Sequence, residues 1–154
     1  MYFIDRKKIS ETLAYMEELL TQFSSEQNWT ESMLKKLALE RIAQSVIESL
    51  IDVGNSMIDG FIMRDPGSYE DIIDIMEDEK VIDKEMEAPL KAMIELRKML
   101  VRDFMKVDLS EIEKTMSSSL PSLENFPIKV LTYLENELGP VSAFLPEDSP
   151  HGTL

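Results

Sequence analysis

The chain has no cysteine and one histidine, His151. Without cysteine there is no disulfide, no thiolate metal ligand and no cysteine nucleophile, and one histidine excludes sites built from several imidazoles. We therefore predict no metal site and no cofactor. No apolar run approaches the roughly 20 residues that a membrane helix needs, and the first residues lack the order of a signal peptide. These absences favour a cytoplasmic protein that has no membrane partner.

Basic residues are also scarce, since 16 lysines and arginines stand against 30 aspartates and glutamates, for a formal net charge of -14. Proteins that bind DNA without sequence preference take most of their affinity from basic side chains on phosphates, so this balance argues against DNA as a partner. A small RNA site on a local basic patch stays open. The length of 154 residues is sufficient for one domain with its own core.

Apolar residues recur at helical spacing along almost the whole chain, which predicts an all-α fold. We expect a first helix with Asp5 as its N-cap. For the second helix we expect Thr30 as the N-cap, Trp29 packed on Leu34 as a hydrophobic staple, and an end near Met63. The apolar stripe of the first helix consists of Ile9, Leu13, Met16, Leu20 and Phe23.

The second half of the chain predicts three further helices. Ser68 has capping-box spacing for a short third helix, and a fourth begins near Asp83, with a bend at Pro89. A fifth helix starts after Asp108 and is kinked or split by its internal prolines, Pro121 and Pro127. Because Gly139-Pro140 is a stop signal, we divide the chain into a helical bundle at 1–139 and an irregular tail at 140–154.

Charge is distributed unevenly along the chain. Residues 91–106 hold five basic and two acidic side chains, a local balance of +3, whereas residues 70–87 hold nine acids and two lysines, a balance of -7. A local concentration of charge against the overall sign indicates a binding site or an internal partner. The basic residues are Lys91, Arg97, Lys98, Arg102 and Lys106.

Arg97 lies on the apolar stripe of the fourth helix, where a charged group needs partners. A line of polar residues on the second helix offers them, and Glu48, Asp52 and Asn55 belong to it. This line is either a solvated face with partners for Arg97 or a set of carboxylates that orient arginines in a site. A dicarboxylate metal centre is disfavoured, because the Glu-x-x-His pairs of such bundles are missing.

Arg97 and Arg102 are about 140 degrees apart around an ideal helix, so they flank a face instead of sharing one spot. A second helix is needed to make them converge. If a two-fold dimer packs this helix on its copy, four guanidinium groups meet in a cleft suited to phosphate or to the acidic segment 70–87. The alternative is structural: Arg97 pairs with a buried carboxylate, and Arg102 is simply exposed.

The stretch Arg-Lys-Met-Leu-Val-Arg-Asp-Phe at 97–104 resembles the motif of the HepT-like proteins of the HEPN superfamily. That motif is an arginine, four residues, a histidine, any residue and a tyrosine. Residues 2–9, 51–69 and 133–141 are similar to the YutE-like branch of the same family, and the likeness extends from residue 2 to about residue 144. The resemblance implies an antiparallel bundle of four to six helices that forms a homodimer through the motif helix.

The resemblance also implies a function, namely that of a metal-independent endoribonuclease and toxin, paired with a nucleotidyltransferase antitoxin that adenylylates the motif tyrosine. Arg97 matches the motif arginine, but Arg102 stands at the histidine position and Phe104 at the tyrosine position. Arginine stays protonated and cannot exchange a proton near neutral pH, and phenylalanine has no hydroxyl to accept a nucleotide. We therefore expect impaired catalysis at Arg97, Arg102 and Phe104, with Glu48, Asp52 and Asn55 in support.

The residues and the resemblance are compatible with three functions. The first is a toxin ribonuclease lineage in which the two arginines contact RNA phosphate. The second is a catalytically inactive dimeric scaffold that binds a protein partner such as a nucleotidyltransferase. Nucleotide binding in the arginine-lined cleft is the third, although the chain has no glycine-rich phosphate loop.

Overall fold

The computed structural model describes residues 3–139, so the predicted tail at 140–154 and His151 lie outside the described residues. Within 3–139 the chain forms five α-helices and one short 3-10 helix, which confirms the all-α prediction. The helices are α1 Arg6–Ser25, α2 Met33–Gly60, α3 Tyr69–Asp78, the 3-10 helix Lys84–Met86, α4 Glu87–Arg102 and α5 Leu109–Leu138. No helix of this described part has the length and apolar character needed to cross a bilayer.

Three of the predicted N-caps are confirmed. The side chains of Asp5, Ser68 and Asp108 accept hydrogen bonds from the backbone N–H three residues ahead, at 3.0, 3.1 and 3.2 Å. Each bond satisfies one N–H group that the helix itself leaves without a partner. The predicted cap of α2 is wrong, because Ser32 and not Thr30 accepts the bond from the N–H of Lys35.

The predicted packing of Trp29 on Leu34 is wrong as well. Trp29 is buried in the turn between α1 and α2, and its ring stacks on Phe23 with the ring centroids 6.0 Å apart. Because α2 begins two residues later than expected, Leu34 lies in its first turn and faces solvent. The tryptophan therefore packs on α1, and not on the first turn of α2.

The three prolines at which the sequence predicts a bend, kink or split lie inside α4 and α5. Pro89 lies in the first turn of α4, where the missing N–H costs no helical hydrogen bond, and the segment before Glu87 is the 3-10 helix. The fifth helix is not split, since α5 is one helix of 30 residues that includes Pro121 and Pro127. Its buried apolar stripe continues past both prolines and holds the two halves on the same core.

The α1–α2 hairpin and the α4–α5 pair are joined in one antiparallel bundle. Arg6, at the start of α1, donates a hydrogen bond of 3.0 Å to the carbonyl of Gly139 just after α5. Ser119 of α5 donates one of 3.0 Å to the carbonyl of Pro89 at the start of α4, so α5 runs back along α4. The C-terminal end of α4 therefore lies at the same end of the bundle as the start of α2.

The third helix packs closely on α2. A Cβ atom at Gly54 of α2 would overlap the side chain of Ile72 on α3, so only glycine permits this approach. The close contact brings the start of α3, with Tyr69, towards the polar face of α2. It thereby supplies one wall of the site described below.

Candidate functional site

Three helices meet at Arg97. Its Nε donates a hydrogen bond of 2.6 Å to Oε2 of Glu48 on α2, and its guanidinium carbon lies 4.7 Å from the ring centroid of Tyr69 at the start of α3. The side chain of Arg97 is 30% exposed and that of Glu48 is 47% exposed. Arg97 is therefore fixed by two neighbours and still accessible to a ligand.

These contacts set what Arg97 can do. The hydrogen bond from Arg97 to Glu48 raises the pKa of the arginine above its ordinary value, and the smaller effect of burial lowers it. The guanidinium group consequently stays protonated and can only donate hydrogen bonds and stabilise negative charge. Since only Nε is bonded to another residue within 3–139, the four N–H donors of the terminal nitrogens remain available for an anion.

Arg102 and Phe104 lie apart from Arg97. Arg102 is the last residue of α4 and is exposed, with no hydrogen bond or ion pair to any residue within 3–139. Phe104 follows in the turn after α4 and is 63% exposed. Within residues 3–139, Arg102 shares neither of the partners of Arg97, which are Glu48 and Tyr69. Arg102 is available to a ligand or to a second copy of the chain.

The three supporting residues have different surroundings. Glu48 contacts Arg97 directly, whereas the carboxylate of Asp52 lies 3.7 Å from the ammonium group of Lys8 on α1. Asn55 lines a cavity of about 460 Å³ between α2 and the start of α3, and Tyr69 lines the same cavity. Of these three residues, only Glu48 forms a hydrogen bond or an ion pair with Arg97.

Tyr69 is the residue of this site that no sequence pattern singles out. It precedes Arg97 by 28 positions and belongs to a different helix. The only local signal is its place directly after the N-cap Ser68, which positions a helix start but says nothing about what the ring contacts. Its contact with Arg97 depends on how α3 packs against α4.

The acids of segment 70–87 pair with cations other than Arg97 and Arg102, and the carboxylate that pairs with Arg97 is that of Glu48 on α2. Four of its aspartates and Glu87 form ion pairs with cations outside the segment, and within 3–139 none of its acids pairs with Arg97 or Arg102. The ion pairs are Arg64–Asp71 at 2.7 Å, Arg64–Asp78 at 4.0 Å, Lys91–Asp74 at 2.6 Å, Lys91–Glu87 at 3.3 Å and Lys129–Asp83 at 3.0 Å.

Asp71 is held most firmly among these acids. Hydrogen bonds from both terminal nitrogens of Arg64, at 2.7 and 2.9 Å, and from the N–H of Gly67, at 2.9 Å, lower the pKa of its carboxyl group to about 2. The turn before α3 is thus tied to the first turn of that helix. Within residues 3–139, no group of three or more His, Cys, Asp or Glu side chains is arranged to hold a metal ion.

Comparisons with known proteins identify the family and the fold of the chain. A relative from Bacillus subtilis (strain 168), YutE, whose name describes it as an RNase candidate, is 48% identical over 144 residues, which cover 94% of this chain and 99% of the relative. The solved structure of YutE, described as a cytosolic protein of unknown function, has a TM-score of 0.89, with 94% of this chain and 100% of that chain covered.

More distant solved structures share the fold. The tri-AMPylated HEPN toxin of Shewanella oneidensis, solved in complex with its MNT antitoxin, has a TM-score of 0.69 at 17% identity, over 81% of this chain and 95% of that chain. A toxin-antitoxin complex of a MntA-HpeT mutant has a TM-score of 0.71 at 18% identity, over 80% of this chain and 98% of that chain. At this identity they show that the helical bundle is of the HEPN type.

The family model described as Ribonuclease HepT-like matches residues 9–130, which include all the contacts of Arg97 described above. This match spans α1 to α4 and most of α5. The family expected from the motif at 97–104 is therefore confirmed. The chain belongs to the HepT-like ribonuclease family.

Proposed function

We propose that the protein is an RNA-binding homodimer from a toxin ribonuclease lineage, in which Arg97 and Arg102 hold RNA phosphate. Cleavage proceeds without a metal and is slow, because residue 102 cannot exchange a proton. The observation that carries this proposal is the state of Arg97, which is held by Glu48 and Tyr69 and keeps its outer N–H donors free. Arg102 adds an uncompensated charge at the end of the same helix.

The chemistry of the two substituted positions explains why the activity is slow. General acid–base catalysis by a side chain typically contributes about 10²–10⁴-fold to the rate, and arginine cannot supply it near neutral pH. A guanidinium still matches the geometry of a phosphate and stabilises the charge that develops in the transition state. Arg102 thus retains electrostatic stabilisation and loses proton transfer, while Phe104 offers no hydroxyl for adenylylation.

The dimer is supported by the apolar surface at the end of the motif helix. Phe104 is 63% exposed and Met105 is 85% exposed, and the exposed Val101 precedes them on α4. Exposed side chains of this size next to one another are typical of surfaces that become buried on association. A two-fold contact here brings two copies of Arg102 into one cleft and completes a phosphate site that a single protomer lacks.

A nucleotidyltransferase partner is the second candidate function. The substitutions at Arg102 and Phe104 favour it, since they remove proton transfer and the adenylylation hydroxyl without removing the surface around them. The HEPN toxin of Shewanella oneidensis was solved with an MNT antitoxin, and the same kind of partner fits here. We assign the protein to the cytoplasm, as YutE is described as cytosolic.

Cleavage of single-stranded RNA in the presence of a chelator tests the proposal. The parent is compared with Arg97→Ala and with a double variant, Arg102→His with Phe104→Tyr, which restores the family motif. We expect weak cleavage by the parent, none by Arg97→Ala, and an increase of about 10²–10⁴-fold in the double variant.

The remaining outcomes separate the two functions. Cleavage by the double variant alone points to an intact cleft without a proton donor and supports the scaffold. Equal cleavage by the parent and by Arg97→Ala contradicts the assignment of Arg97. If neither the parent nor the double variant binds or cleaves RNA, the RNA function is wrong; failure to co-purify with a co-expressed nucleotidyltransferase of the MNT type contradicts the scaffold.

A further inference from the structure

The cavity between α2 and the start of α3 has no role in the function proposed so far. Its volume is about 460 Å³, and its lining includes Asn55, Gly67, Tyr69, Glu70 and Ile72. Tyr69 belongs both to this cavity and to the contact with the guanidinium group of Arg97. The cavity therefore adjoins the group that we assign to RNA phosphate.

We propose that this cavity binds a nucleobase of the RNA strand whose phosphate is held by Arg97. The inference rests on the proposed RNA function and deepens it by naming the part of the substrate that is read. Sequence-specific recognition of RNA uses unstacked bases that lie against aromatic rings and hydrogen-bond through their edges. A tyrosine beside a phosphate-binding arginine offers both contacts to one nucleotide.

The size and the apolar lining of the cavity suit a base. Small-molecule sites in proteins commonly have volumes of about 300–1,000 Å³, and a cavity of about 460 Å³ lies within this range. Tyr69 is 45% exposed as a whole residue, which leaves room for stacking even though Arg97 lies against its ring. Ile72, which is buried, adds an apolar side chain to the lining.

The polar groups of the cavity favour certain bases. Asn55 is half-buried, and its amide has no hydrogen-bond partner within residues 3–139. Such an amide offers two donors and one acceptor, while the carboxylate of Glu70 only accepts. Carboxylates pair with the exocyclic amino group of cytosine and amides pair with adenine, so we expect bases that carry an amino group to bind better than uracil.

An isolated anion fits the cavity poorly. The N–H of Gly67 already donates to the carboxylate of Asp71 at 2.9 Å, and the hydroxyl of Ser68 accepts from the N–H of Asp71 at 3.1 Å. The start of α3 is thus occupied by its own side chains, and Glu70 adds a negative charge to the lining. In this proposal Arg97 binds the RNA phosphate, and the cavity binds the nucleobase.

Equilibrium binding of labelled single-stranded RNA tests this proposal. Oligonucleotides of one length, made only of uridine, adenosine or cytidine, are titrated with the parent, Asn55→Ala, Tyr69→Leu and Arg97→Ala. The matched control is Phe3→Leu, because Phe3 is an exposed aromatic residue before α1 that lines neither this cavity nor the pocket beside Glu48. Circular dichroism checks that each variant is folded.

We expect the parent to prefer adenosine or cytidine RNA over uridine RNA, and Asn55→Ala to lose the preference while it binds uridine RNA as before. Tyr69→Leu weakens the binding of all three RNAs by about tenfold, as the loss of one stacked base does, and Phe3→Leu has no effect. Adenosine monophosphate competes more weakly than RNA, because it lacks the neighbouring phosphates.

Other results overturn the proposal in distinguishable ways. If the parent binds RNA through Arg97 but shows no base preference, or if Asn55→Ala keeps that preference, the base site is wrong and the RNA function stands. If the parent binds none of the RNAs, both fail. A free nucleotide that binds more tightly than RNA contradicts RNA as the ligand of this cavity.

Discussion

Arg97 of α4 and Glu48 of α2, which are 49 positions apart in the sequence, are joined by a hydrogen bond of 2.6 Å. The bond uses Nε, the nitrogen nearest the side-chain stem, and so orients the guanidinium plane without occupying its outer donors. Tyr69 contacts the same group at 4.7 Å. A carboxylate and an aromatic ring together fix a cation that would otherwise sample many rotamers, which favours binding of phosphate in one geometry.

The pair between Arg97 and Glu48 contributes little to stability. Both side chains are partly exposed, at 30% and 47%, and ion pairs of this kind contribute about 0.2–1 kcal/mol. In a double-mutant cycle measured by urea unfolding, Glu48→Ala and Arg97→Ala should each lower the free energy of unfolding by less than about 1.5 kcal/mol, with a coupling energy below about 1 kcal/mol. The control Asp52→Ala removes only the exposed contact with Lys8 and should change the free energy of unfolding by less than about 0.5 kcal/mol. A coupling energy above about 2 kcal/mol would show a structural role for the pair.

Much of the fold can be predicted from local signals. The caps at Asp5, Ser68 and Asp108 and the apolar stripe of α1 are encoded within a few residues of where they act. The cap predicted at Thr30 is wrong, and of the kink or split predicted at Pro121 and Pro127 the split does not occur; in both places tertiary packing decides between two local options. Burial of Trp29 against α1 and burial of the α5 stripe are not visible from spacing along one helix.

At the site too, the sequence predicts some contacts, and others depend on how the helices pack. A charge on the apolar face of α4 predicts that Arg97 has a partner, and the polar line of α2 contains that partner, Glu48. Spacing alone cannot choose between Glu48 and Asp52, because the choice depends on where α2 crosses α4. The role of Tyr69 depends on the close packing of α3 on α2. Gly54 permits this packing, but a glycine in the sequence of α2 does not by itself predict it.

The loss of stability on acidification should depend in part on Asp71, which stabilises the fold only while its carboxyl group is ionised. Hydrogen bonds from Arg64 and Gly67 lower the pKa of this carboxyl group from 3.8 to about 2 in the folded state. Because the folded value is below the unfolded value, the stabilisation is complete above the unfolded pKa and is lost as the pH falls towards 2. We therefore expect Asp71→Asn to lower the urea midpoint at pH 6 and to have a smaller effect at pH 2.5. Glu18→Gln, at an exposed site on α1, is the control, and an Asp71→Asn effect that is constant from pH 6 to pH 2.5 would contradict the linkage.

Gly54→Ala should destabilise the protein. The added methyl group gains about 1 kcal/mol of helix propensity but must displace Ile72, and overpacking of a core costs about 1–3 kcal/mol. We expect a net loss of about 1 kcal/mol in the free energy of unfolding, measured with urea. Gly67→Ala is the control, since its Cβ would meet only a carboxylate oxygen of Asp71 at 3.7 Å. A Gly54→Ala variant as stable as the parent would mean that α3 moves freely relative to α2.

RNA affinity should depend on salt through Arg102. For single strands the logarithm of the binding constant falls with the logarithm of the salt concentration by about 0.7 for each phosphate contacted. Replacing Arg102 with glutamine should reduce this slope by about 0.7 for each protomer that contacts the RNA. Lys7→Gln removes the same charge from α1, where Lys7 pairs with Glu11 at 2.6 Å, and should leave the slope unchanged. Equal slopes for the parent and Arg102→Gln would exclude a phosphate contact at Arg102.

Association of the protein should depend on the apolar end of the motif helix. If Phe104 is buried between two copies, Phe104→Glu removes apolar contact and places two like charges near each other across the two-fold axis. Burying a large apolar side chain contributes about 1.5–3 kcal/mol, and two copies are lost at once, so the dissociation constant should rise by about 10²–10⁴-fold.

Light scattering across a concentration series measures this change directly. The matched control is Ile128→Glu, because Ile128 is 59% exposed on α5 and is not part of the surface formed by Val101, Phe104 and Met105. If Ile128→Glu dissociates the protein and Phe104→Glu does not, the dimer forms elsewhere, and the two copies of Arg102 do not share a cleft. A parent that is monomeric at every concentration has the same consequence, because Arg97 and Arg102 then act in one protomer and have no convergent phosphate site.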